Sequence, residues 1–383
     1  MIEEELISEE DNNSLNDIAY RAVQIKKSLT LGTTTLTPLN YNEEREKFFA
    51  SSTYNPHFIY HTGDHRLFRD ELNDLLSLTD LLTIPSDFKF YLQDYLINLH
   101  FLNITLRSVG TSTFAQAAHA LFDWNIVDAD SLMKLFSDFP FSEPKDAQLY
   151  NAEMIKLEFE HVLLNVYGIT DFSIQIDTFC HNIIRAGYKK VTIGSGIRRA
   201  KNNVDRLIVH EIESHVLQTY NIKQCKNPLL ELSKYNDAIL YSEGLAVYNE
   251  VMTQTLTRSS LETYYYRLKA VSMLHKSFRE IYTYLAKSLP EEKAYLITYR
   301  VKRGMGDTSL PGGFPKDAGY LQGFKKVHEY MKNGGSLHDL YHTKTPGLTS
   351  LLRAHNLLPE KLHIIPRFLE QELSHSNNQI SLN

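Results

Sequence analysis

The chain has 383 residues, of which 43% are hydrophobic and 22% charged, and its formal net charge is −6. This composition supports a large buried core, and the mild negative charge excludes the general basic field by which proteins attract nucleic acid. Two cysteines exclude a disulfide framework, and no run of about 18 apolar residues occurs, so no membrane-spanning helix is expected.

The N-terminal part of the chain is predicted to be helical. Residues 1–15 are acidic and are interpreted as a loose tail, and residues 16–168 as a helical N-terminal region. The tail has no apolar segment of the kind that starts a secretory signal, so we expect a cytoplasmic protein; export by another route stays open. Late in this region, apolar residues recur at helical spacing through Ile155, Phe159 and Val162.

Two short runs of alternating, β-branched residues follow, at Phe172–Asp177 and Lys189–Gly196. Their composition predicts a pair of strands, and we expect a small antiparallel sheet beside the helix that follows. After Arg199 the pattern returns to helix almost to the end of the chain. The predicted fold class is therefore α+β and mostly helical, with the sheet leading into a helix that carries histidines.

That helix contains His210 and His215, with Glu211 directly after the first histidine. Zinc peptidases use His-Glu-x-x-His, in which the histidines lie four apart on one helix face, whereas here they lie five apart. In a regular α-helix, a separation of five turns the second side chain about 140° away from the first. A single π turn absorbs the extra residue and returns both imidazoles to one side. The spacing predicts either a metal site on a π-bulged helix, from about Val204 to Tyr220, or a core helix with structural histidines.

The following helix favours the metal site. Glu243 is predicted to start it, beside the small residues Gly244 and Ala246, which would let this helix approach the histidine helix closely. Two histidines and one carboxylate are the protein ligands of a catalytic zinc ion, whose fourth position stays open. Glu211 then remains free to act as general base toward a water molecule. Glu213 is predicted to lie on a solvated face, with orientation of a histidine as the alternative.

A third segment, RVKRGMGDTSLPGGFPKDAGY, combines basic residues with glycines. Arg300 and Arg303 precede the glycine-rich loop, and Lys316 and Tyr320 follow it. Such loops are commonly simple turns. Beside a zinc ion, however, a cation can hold a substrate carboxylate, and a phenol can donate to a developing oxyanion. Arg198, just after the second β-type run, is a further candidate for the carboxylate.

These motifs together resemble the QEGLA-motif family of zinc metallopeptidases, which includes the tyrosine carboxypeptidase that trims α-tubulin. The resemblance covers about residues 35–370 and lies in HEIESH, EGLA, RVKRG…GGFPKDAGYLQG and PLNYNEEREKFFASSTYNPHFIY. It implies that His210, His215 and Glu243 bind zinc and that Glu211 is the catalytic base. It also implies a gluzincin-like fold, in which a strand beside the active-site helix, here KKVTIGSG, binds the substrate backbone.

Two functions remain open at this point. The first is a zinc metallopeptidase with residues 169–383 as its catalytic region, acting on the C-terminus of a peptide or protein, with a carboxypeptidase favoured over an endopeptidase. The second is a non-catalytic interaction protein on the same scaffold. The sequence departs from the family at Ser242, where glutamine is expected and its amide hydrogen bond is lost, and at Glu213, where glycine is expected. Both departures leave substrate preference open.

Two other groups of histidines have metal-like spacing. His57, His61 and His65 lie four apart, but the adjoining Asn-Pro and Thr-Gly-Asp sequences interrupt a helix, which predicts structural or loop histidines. His338 and His342 are also four apart, and the sequence offers them no evident third ligand. A structural role is therefore predicted for both groups.

Overall fold

The computed structural model describes residues 7, 9–32, 35–61, 66–144, 147–178 and 184–370. The chain divides into two compact units, each assembled from three segments. The first unit comprises Met1–Lys134, Glu231–Ile239 and Thr263–Gln322, and the second comprises Leu135–Leu230, Leu240–Glu262 and Gly323–Asn383. The sequence interpretation placed two consecutive regions on either side of residue 168, whereas these units interleave along the chain.

The described residues form mainly helices. The α-helices are α1 (Glu9–Ser28), α2 (Tyr41–Ala50), α3 (Arg69–Leu81), α4 (Ser86–Arg107), α5 (Phe114–Phe122), α6 (Ala129–Met133), α7 (Ala152–His161), α8 (Lys201–Leu207), α9 (Leu217–Gln224), α10 (Tyr235–Met252), α11 (Arg258–Ser272), α12 (Phe278–Leu285), α13 (Glu291–Lys302), α14 (Gly319–Lys332), α15 (Leu337–His342) and α16 (Pro346–Ala354). The strands are β1 (Leu149–Asn151), β2 (Ser173–Asp177), β3 (Ile184–Ala186), β4 (Lys190–Gly194) and β5 (Arg198–Ala200). Two π-helical segments, Val162–Val166 and Ile208–Val216, continue α7 and α8. Within the described ranges, no helix is both long and apolar enough to cross a membrane.

The acidic N-terminal segment belongs in part to a helix. Helix α1 begins at Glu9, so residues 9–15 are helical and the predicted loose tail does not extend to residue 15. The acidic residues Glu10 and Asp11 lie in the first turn, where the partial positive charge of a helix N-terminus favours them. Leu15 and Ile18 are buried, and this burial holds the helix in place. The acidic residues that were interpreted as part of a loose tail instead mark the N-terminal end of helix α1.

An aromatic cluster forms part of the core of the first unit. The ring of Phe48 contacts the rings of Phe278, Tyr282 and Tyr295, with centroids 4.8–5.2 Å apart. The guanidinium of Arg279 lies 3.4 Å from the centroid of the Phe48 ring and also donates to the Phe48 carbonyl oxygen. The N-terminal sequence motif around Phe48 is therefore a packing motif that anchors α2 against α12.

The second unit contains two small sheets. Strands β1 and β5 pair antiparallel. In the other sheet, β4 is the central strand. It pairs parallel with β2 and antiparallel with β3. The prediction of a small antiparallel sheet is confirmed in part: β3 and β4 pair antiparallel, whereas β2 and β4, which correspond to the two runs identified in the sequence, pair parallel. Strand β3, which the sequence analysis did not identify, has only three residues and is too short to show alternation.

The hydrophobic core of the second unit places the histidine helix against this sheet. The core is formed by apolar residues of α7, the sheet, the π-helical segment after α8, and α15, among them Ile155, Phe159, Val191, Ile193, Ile212, Val216 and Leu340. Strand β3 contacts the π-helical segment directly. An edge strand thus runs beside the helix that carries both histidines.

Two glycines set the contact between α10 and α14 in the second unit. A Cβ added to Gly244 would lie 2.2 Å from the carbonyl carbon of Gly323, and one added to Gly323 would lie 2.1 Å from the Leu240 oxygen. The backbones therefore touch, and neither position accepts a side chain. The small residues beside Glu243 were expected to let α10 approach the histidine helix, but Gly244 instead contacts α14.

Candidate metal centre

The histidine helix contains the irregularity that its spacing predicted. Residues Ile208–Val216 form a π-helical segment between α8 and α9. Within it, the Ser214 hydroxyl donates to the carbonyl oxygen of Val209, five residues earlier. The extra residue in the turn brings His210 and His215 to one side, with ring centroids 5.0 Å apart and ring planes at 84°. The prediction of an i to i+5 irregularity between the two histidines is confirmed.

Glu243 completes the group from α10. Its Oε2 atom lies 3.7 Å from the Nε2 of His210 and 3.7 Å from the Nε2 of His215. Within the described residues, these three side chains are the group whose ligand atoms could hold a metal ion, all within 4.8 Å of one another. The predicted convergence of Glu243 with both imidazoles is confirmed.

The position of Glu243 within its helix was predicted wrongly. Helix α10 begins at Tyr235, so Glu243 lies near its middle rather than at its N-terminal end. The reason is a distant cap: the backbone N–H of Tyr235 donates to the side-chain oxygen of Asn98, at 2.8 Å. Because Asn98 lies on α4, no local sequence signal announces this start.

The donor geometry fits zinc. Tetrahedral zinc with bonds of about 2.0–2.1 Å separates its ligand atoms by roughly 3.4 Å, close to the observed 3.7 Å. Both imidazoles direct Nε2 toward Glu243, because each Nδ1 contacts a different partner: Glu250 for His210 at 2.6 Å and Ser242 for His215 at 3.0 Å. Two histidine nitrogens and one carboxylate oxygen form one of the donor sets found in catalytic zinc sites.

The electrostatics of His210 follow from burial among carboxylates. Burial alone would lower its pKa, but hydrogen bonds with Glu243 and Glu250 outweigh this effect and raise the pKa to about 9. Without a metal ion, the imidazole therefore holds a proton near neutral pH. Metal binding requires a nitrogen without a proton, so a metal ion bound at Nε2 would have to displace that proton.

A hydroxyl occupies the position where the family motif has glutamine. The Ser242 hydroxyl donates to Gln218 Oε1 at 2.7 Å, which leaves its oxygen to accept from the Nδ1–H of His215. The Gln218 amide in turn donates to the carbonyl oxygen of Leu340 at 2.7 Å. The expectation that serine loses a hydrogen bond is therefore incomplete, because the shorter side chain supplies a contact of its own to a histidine.

Glu211 lies beside the metal group without joining it. Its side chain is buried, and its Oε2 accepts the backbone N–H of Ala186, at 2.7 Å. Ala186 is in β3, opposite Val191 of β4. In an antiparallel pair, the backbone N–H and C=O groups of every second residue point away from the partner strand, and the N–H of Ala186 is one of these groups. The strand beside the metal helix is thus β3, whereas the predicted run, Lys189–Gly196, contains the central strand β4.

Glu213 takes neither of the roles considered for it. It is buried, and its carboxylate accepts the Tyr167 hydroxyl at 2.7 Å and the Nε of Arg367 at 2.8 Å. The prediction of a solvated face is wrong, because a partner far along the chain neutralises the charge. The carboxylate contacts neither histidine.

The predicted cations around the glycine loop meet on a carboxylate in the first unit. Arg300 binds Asp317 with two hydrogen bonds of 2.6 and 2.8 Å, and Arg303 and Arg267 lie 3.5 and 3.6 Å from the same carboxylate. Asp317 is buried. Tyr320 stacks on the ring of Tyr264, with centroids 4.7 Å apart.

The remaining two cations have different surroundings. Lys316 is half-buried in the short 3₁₀ segment Pro315–Ala318 of the first unit. Arg198 is an exposed residue of β5 in the second unit, and its guanidinium donates to the carbonyl oxygen of Ile197.

The other histidines form no metal group within the part of the chain that the structure describes. His57 is exposed, 3.9 Å from the Asp307 carboxylate, and His61 is also exposed. His65 lies outside the described residues. His338 and His342 both belong to α15, and burial lowers the pKa of His342.

The residues that hold the histidines in place were not predicted from the sequence. Glu250 follows Glu243 by seven positions, or two helix turns, and Arg206 precedes His210 by four. The first spacing places Glu250 on the same face of its helix as Glu243. The second places Arg206 on the same face of its helix as His210, so both residues face the metal group. A search for charged residues at these helical spacings would have found both, whereas Gln218 offers no comparable signal.

The fold and the site define a mostly helical α+β protein with a group of two histidines and one glutamate, buried except for the half-buried His215, that is suited to a metal ion. The chain matches the model of the microtubule-associated tyrosine carboxypeptidase family over residues 46–381, and it therefore belongs to that family. The family name indicates a peptidase, and the resemblance inferred from the motifs is confirmed. No curated protein matches the chain.

Proposed function

We propose that the protein is a zinc-dependent carboxypeptidase that removes one or more C-terminal residues, of the tyrosine type by family membership, from a peptide or protein. The observation that carries this proposal is the convergence of both Nε2 atoms on Glu243, with Glu211 adjacent and outside the donor set. A purely structural zinc site has four protein ligands and needs no base. This argues against the non-catalytic alternative.

The proposed chemistry assigns the proton transfers to Glu211. Zinc held by His210, His215 and Glu243 would polarise the scissile carbonyl and acidify a water molecule. Glu211 accepts the proton of the attacking water and delivers it to the leaving amine. The N–H of Ala186 holds Oε2 of this carboxylate, so Oε1 is proposed to carry the proton.

Backbone binding is proposed to follow the gluzincin pattern. The substrate would pair with the outer edge of β3, because this strand contacts the metal helix and has β4 on its other side only. The Ala186 carbonyl oxygen is proposed to accept a substrate N–H, since it faces the same way as the N–H bound to Glu211.

Among the candidate cations, Arg303 is proposed to bind the terminal carboxylate. Arg300 already makes two hydrogen bonds with Asp317, whereas the Nε of Arg303 is buried without a hydrogen-bond acceptor among the described residues. Burial of an N–H group without an acceptor is costly, and a substrate carboxylate would supply the acceptor that the Nε of Arg303 lacks. Arg198 and Lys316 remain alternatives for this role. Tyr320 is proposed to donate to the oxyanion.

The experiment compares peptides that differ only at the C-terminus. Wild-type protein with zinc is incubated with matched free-acid and amidated peptides ending in tyrosine, and the products are identified by mass spectrometry. We expect release of C-terminal residues from the free acids, much slower cleavage of the amides, and no turnover by Glu211→Gln. Equal cleavage of both peptides would contradict a carboxypeptidase and indicate an endopeptidase. Equal activity of wild type and Glu211→Gln would contradict the assigned base.

Arg303→Met tests the residue that binds the carboxylate. It should raise KM for free-acid peptides far more than for amides, because only the acids lose an ion pair. Arg198→Met tests the exposed alternative cation in the same way, and its KM values should stay at the wild-type level if Arg303 binds the carboxylate. An equal rise in KM for acids and amides would show that Arg303 does not recognise the terminus.

A further inference from the structure

A buried carboxylate contacts the imidazole of one of the two histidines and is itself paired with an arginine. The Nδ1 of His210 lies 2.6 Å from Oε1 of Glu250, and the Nη1 of Arg206 donates to the same oxygen at 2.7 Å. The side chain of Glu250 is fully buried, and those of His210 and Arg206 are 6% and 10% exposed. All three residues belong to the second unit, like the three proposed ligands.

We propose that Glu250 is a positioning residue of the metal centre and that Arg206 holds it in place. The carboxylate accepts from the Nδ1–H of His210, which selects the tautomer with a free lone pair on Nε2 and fixes the orientation of the ring. This inference rests on the proposed zinc site but not on peptidase activity.

The arrangement of the three helical segments supports a positioning role. Arg206 is the penultimate residue of α8, His210 lies in the π-helical segment, and Glu250 lies on α10 two turns after Glu243. One face of α10 thus supplies both a ligand and the carboxylate that orients another ligand. Because the guanidinium donates to the oxygen that the imidazole contacts, it restricts the rotation of that carboxylate as well as neutralising it.

The two histidines are supported unequally. His210 contacts a carboxylate, whereas His215 contacts the neutral hydroxyl of Ser242 at 3.0 Å. Hydrogen bonds to ionised groups are shorter and about twice as strong as those between neutral groups. Loss of Glu250 should therefore weaken zinc binding more than loss of the Ser242 hydroxyl.

The test measures the zinc dissociation constant by competition with a chromophoric chelator. Glu250→Gln should bind zinc about 10–100-fold more weakly than wild type. The matched control is Glu213→Gln, which changes another buried glutamate, in the π-helical segment that carries both histidines; it pairs with an arginine but contacts neither histidine. It should retain wild-type zinc affinity. Wild-type affinity in Glu250→Gln, or an equal loss in Glu213→Gln, would overturn the proposal.

A double variant separates positioning from stability. Arg206→Met with Glu250→Gln removes the buried ion pair as a whole and should recover stability lost in Glu250→Gln alone, since no unpaired charge remains. Its zinc affinity should stay low, because the carboxylate is still absent. Recovery of zinc affinity together with stability would show a merely structural role.

The wild-type protein provides a readout that does not depend on how the variants fold. In the zinc-loaded protein, ¹H–¹⁵N NMR correlations of the histidine rings should show His210 protonated on Nδ1 and metal-bound through Nε2. Coordination through Nδ1, or no zinc binding at all, would overturn the proposal. Zinc binding with this tautomer but no peptide cleavage would leave it standing and contradict only the proposed function.

Discussion

Substitution of Gly244 by alanine tests how the glycine contact supports the metal centre. The new Cβ would lie 2.2, 2.3 and 2.6 Å from three backbone atoms of Gly323 on α14. Non-bonded carbon atoms normally approach to about 3.5–4.0 Å, so relief of this overlap requires α10 and α14 to separate by roughly 1 Å or more. Backbone atoms cannot rotate away as a flexible side chain could.

The expected loss of stability follows from two opposing effects. Overpacking in a well-packed interior costs about 1–3 kcal/mol, and a clash with rigid backbone belongs at the upper end of that range. Alanine in a helix interior regains about 0.5–1 kcal/mol relative to glycine. Gly244→Ala should therefore lower the free energy of unfolding by about 2 kcal/mol. Zinc affinity should also fall, because the displaced segment carries Glu243 next to the substitution.

The assay is urea unfolding of the zinc-free protein, followed by chelator competition for zinc. The matched control is Gly347→Ala on α16, where a Cβ would have no neighbour within 4 Å. This variant should be unchanged or up to about 1 kcal/mol more stable, because only the helix propensity changes. If Gly244→Ala were as stable as Gly347→Ala, the close contact between α10 and α14 would be refuted.

Three further predictions concern the partners of the site and the arginine cluster. Ser242→Ala removes the acceptor for the Nδ1 of His215 and should weaken zinc binding in the same chelator assay; unchanged affinity would contradict this role. Asp317→Asn should lower the free energy of unfolding by about 3–5 kcal/mol at neutral pH, because guanidinium groups lose their buried counter-charge. Burial alone would raise the pKa of Asp317, but the nearby arginines outweigh this effect and lower it. The ionised carboxylate therefore contributes its full stabilisation to the folded protein above the unfolded pKa of about 3.8, and this stabilisation is lost as the pH falls further. Urea unfolding at pH 7 and pH 3 should show the difference between wild type and Asp317→Asn shrinking with acidification, and a constant difference would contradict the assignment. Removal of zinc should lower the thermal midpoint of wild type but not of Glu243→Ala, and equal shifts would exclude Glu243 as a ligand.

The sequence predicts the metal group because its signals are local. The five-residue spacing of His210 and His215 is incompatible with convergence on a regular α-helix, and the π-helical segment resolves that conflict. Glu243 was identified because a carboxylate on the next helix completes a known donor set. The mostly helical α+β class follows equally from helical periodicity and two β-type runs.

The features that the sequence did not predict depend on residues far apart along the chain. Helix α10 starts early because Asn98 caps it, and Glu213 is buried because Arg367 pairs with it. The parallel pairing of β2 with β4 depends on the three-residue strand β3, which is too short to show a pattern. Local periodicity cannot report partners of this kind.

The proposed function requires that His210, His215 and Glu243 hold one zinc ion through both Nε2 atoms and a carboxylate oxygen. Anomalous diffraction from zinc-loaded crystals, recorded on both sides of the zinc absorption edge, tests it most directly. We predict one peak about 2.0–2.2 Å from these three atoms, with the Glu211 carboxylate outside bonding distance. A peak that is absent from this group, or that is bonded to Glu211 in place of Glu243, would contradict it.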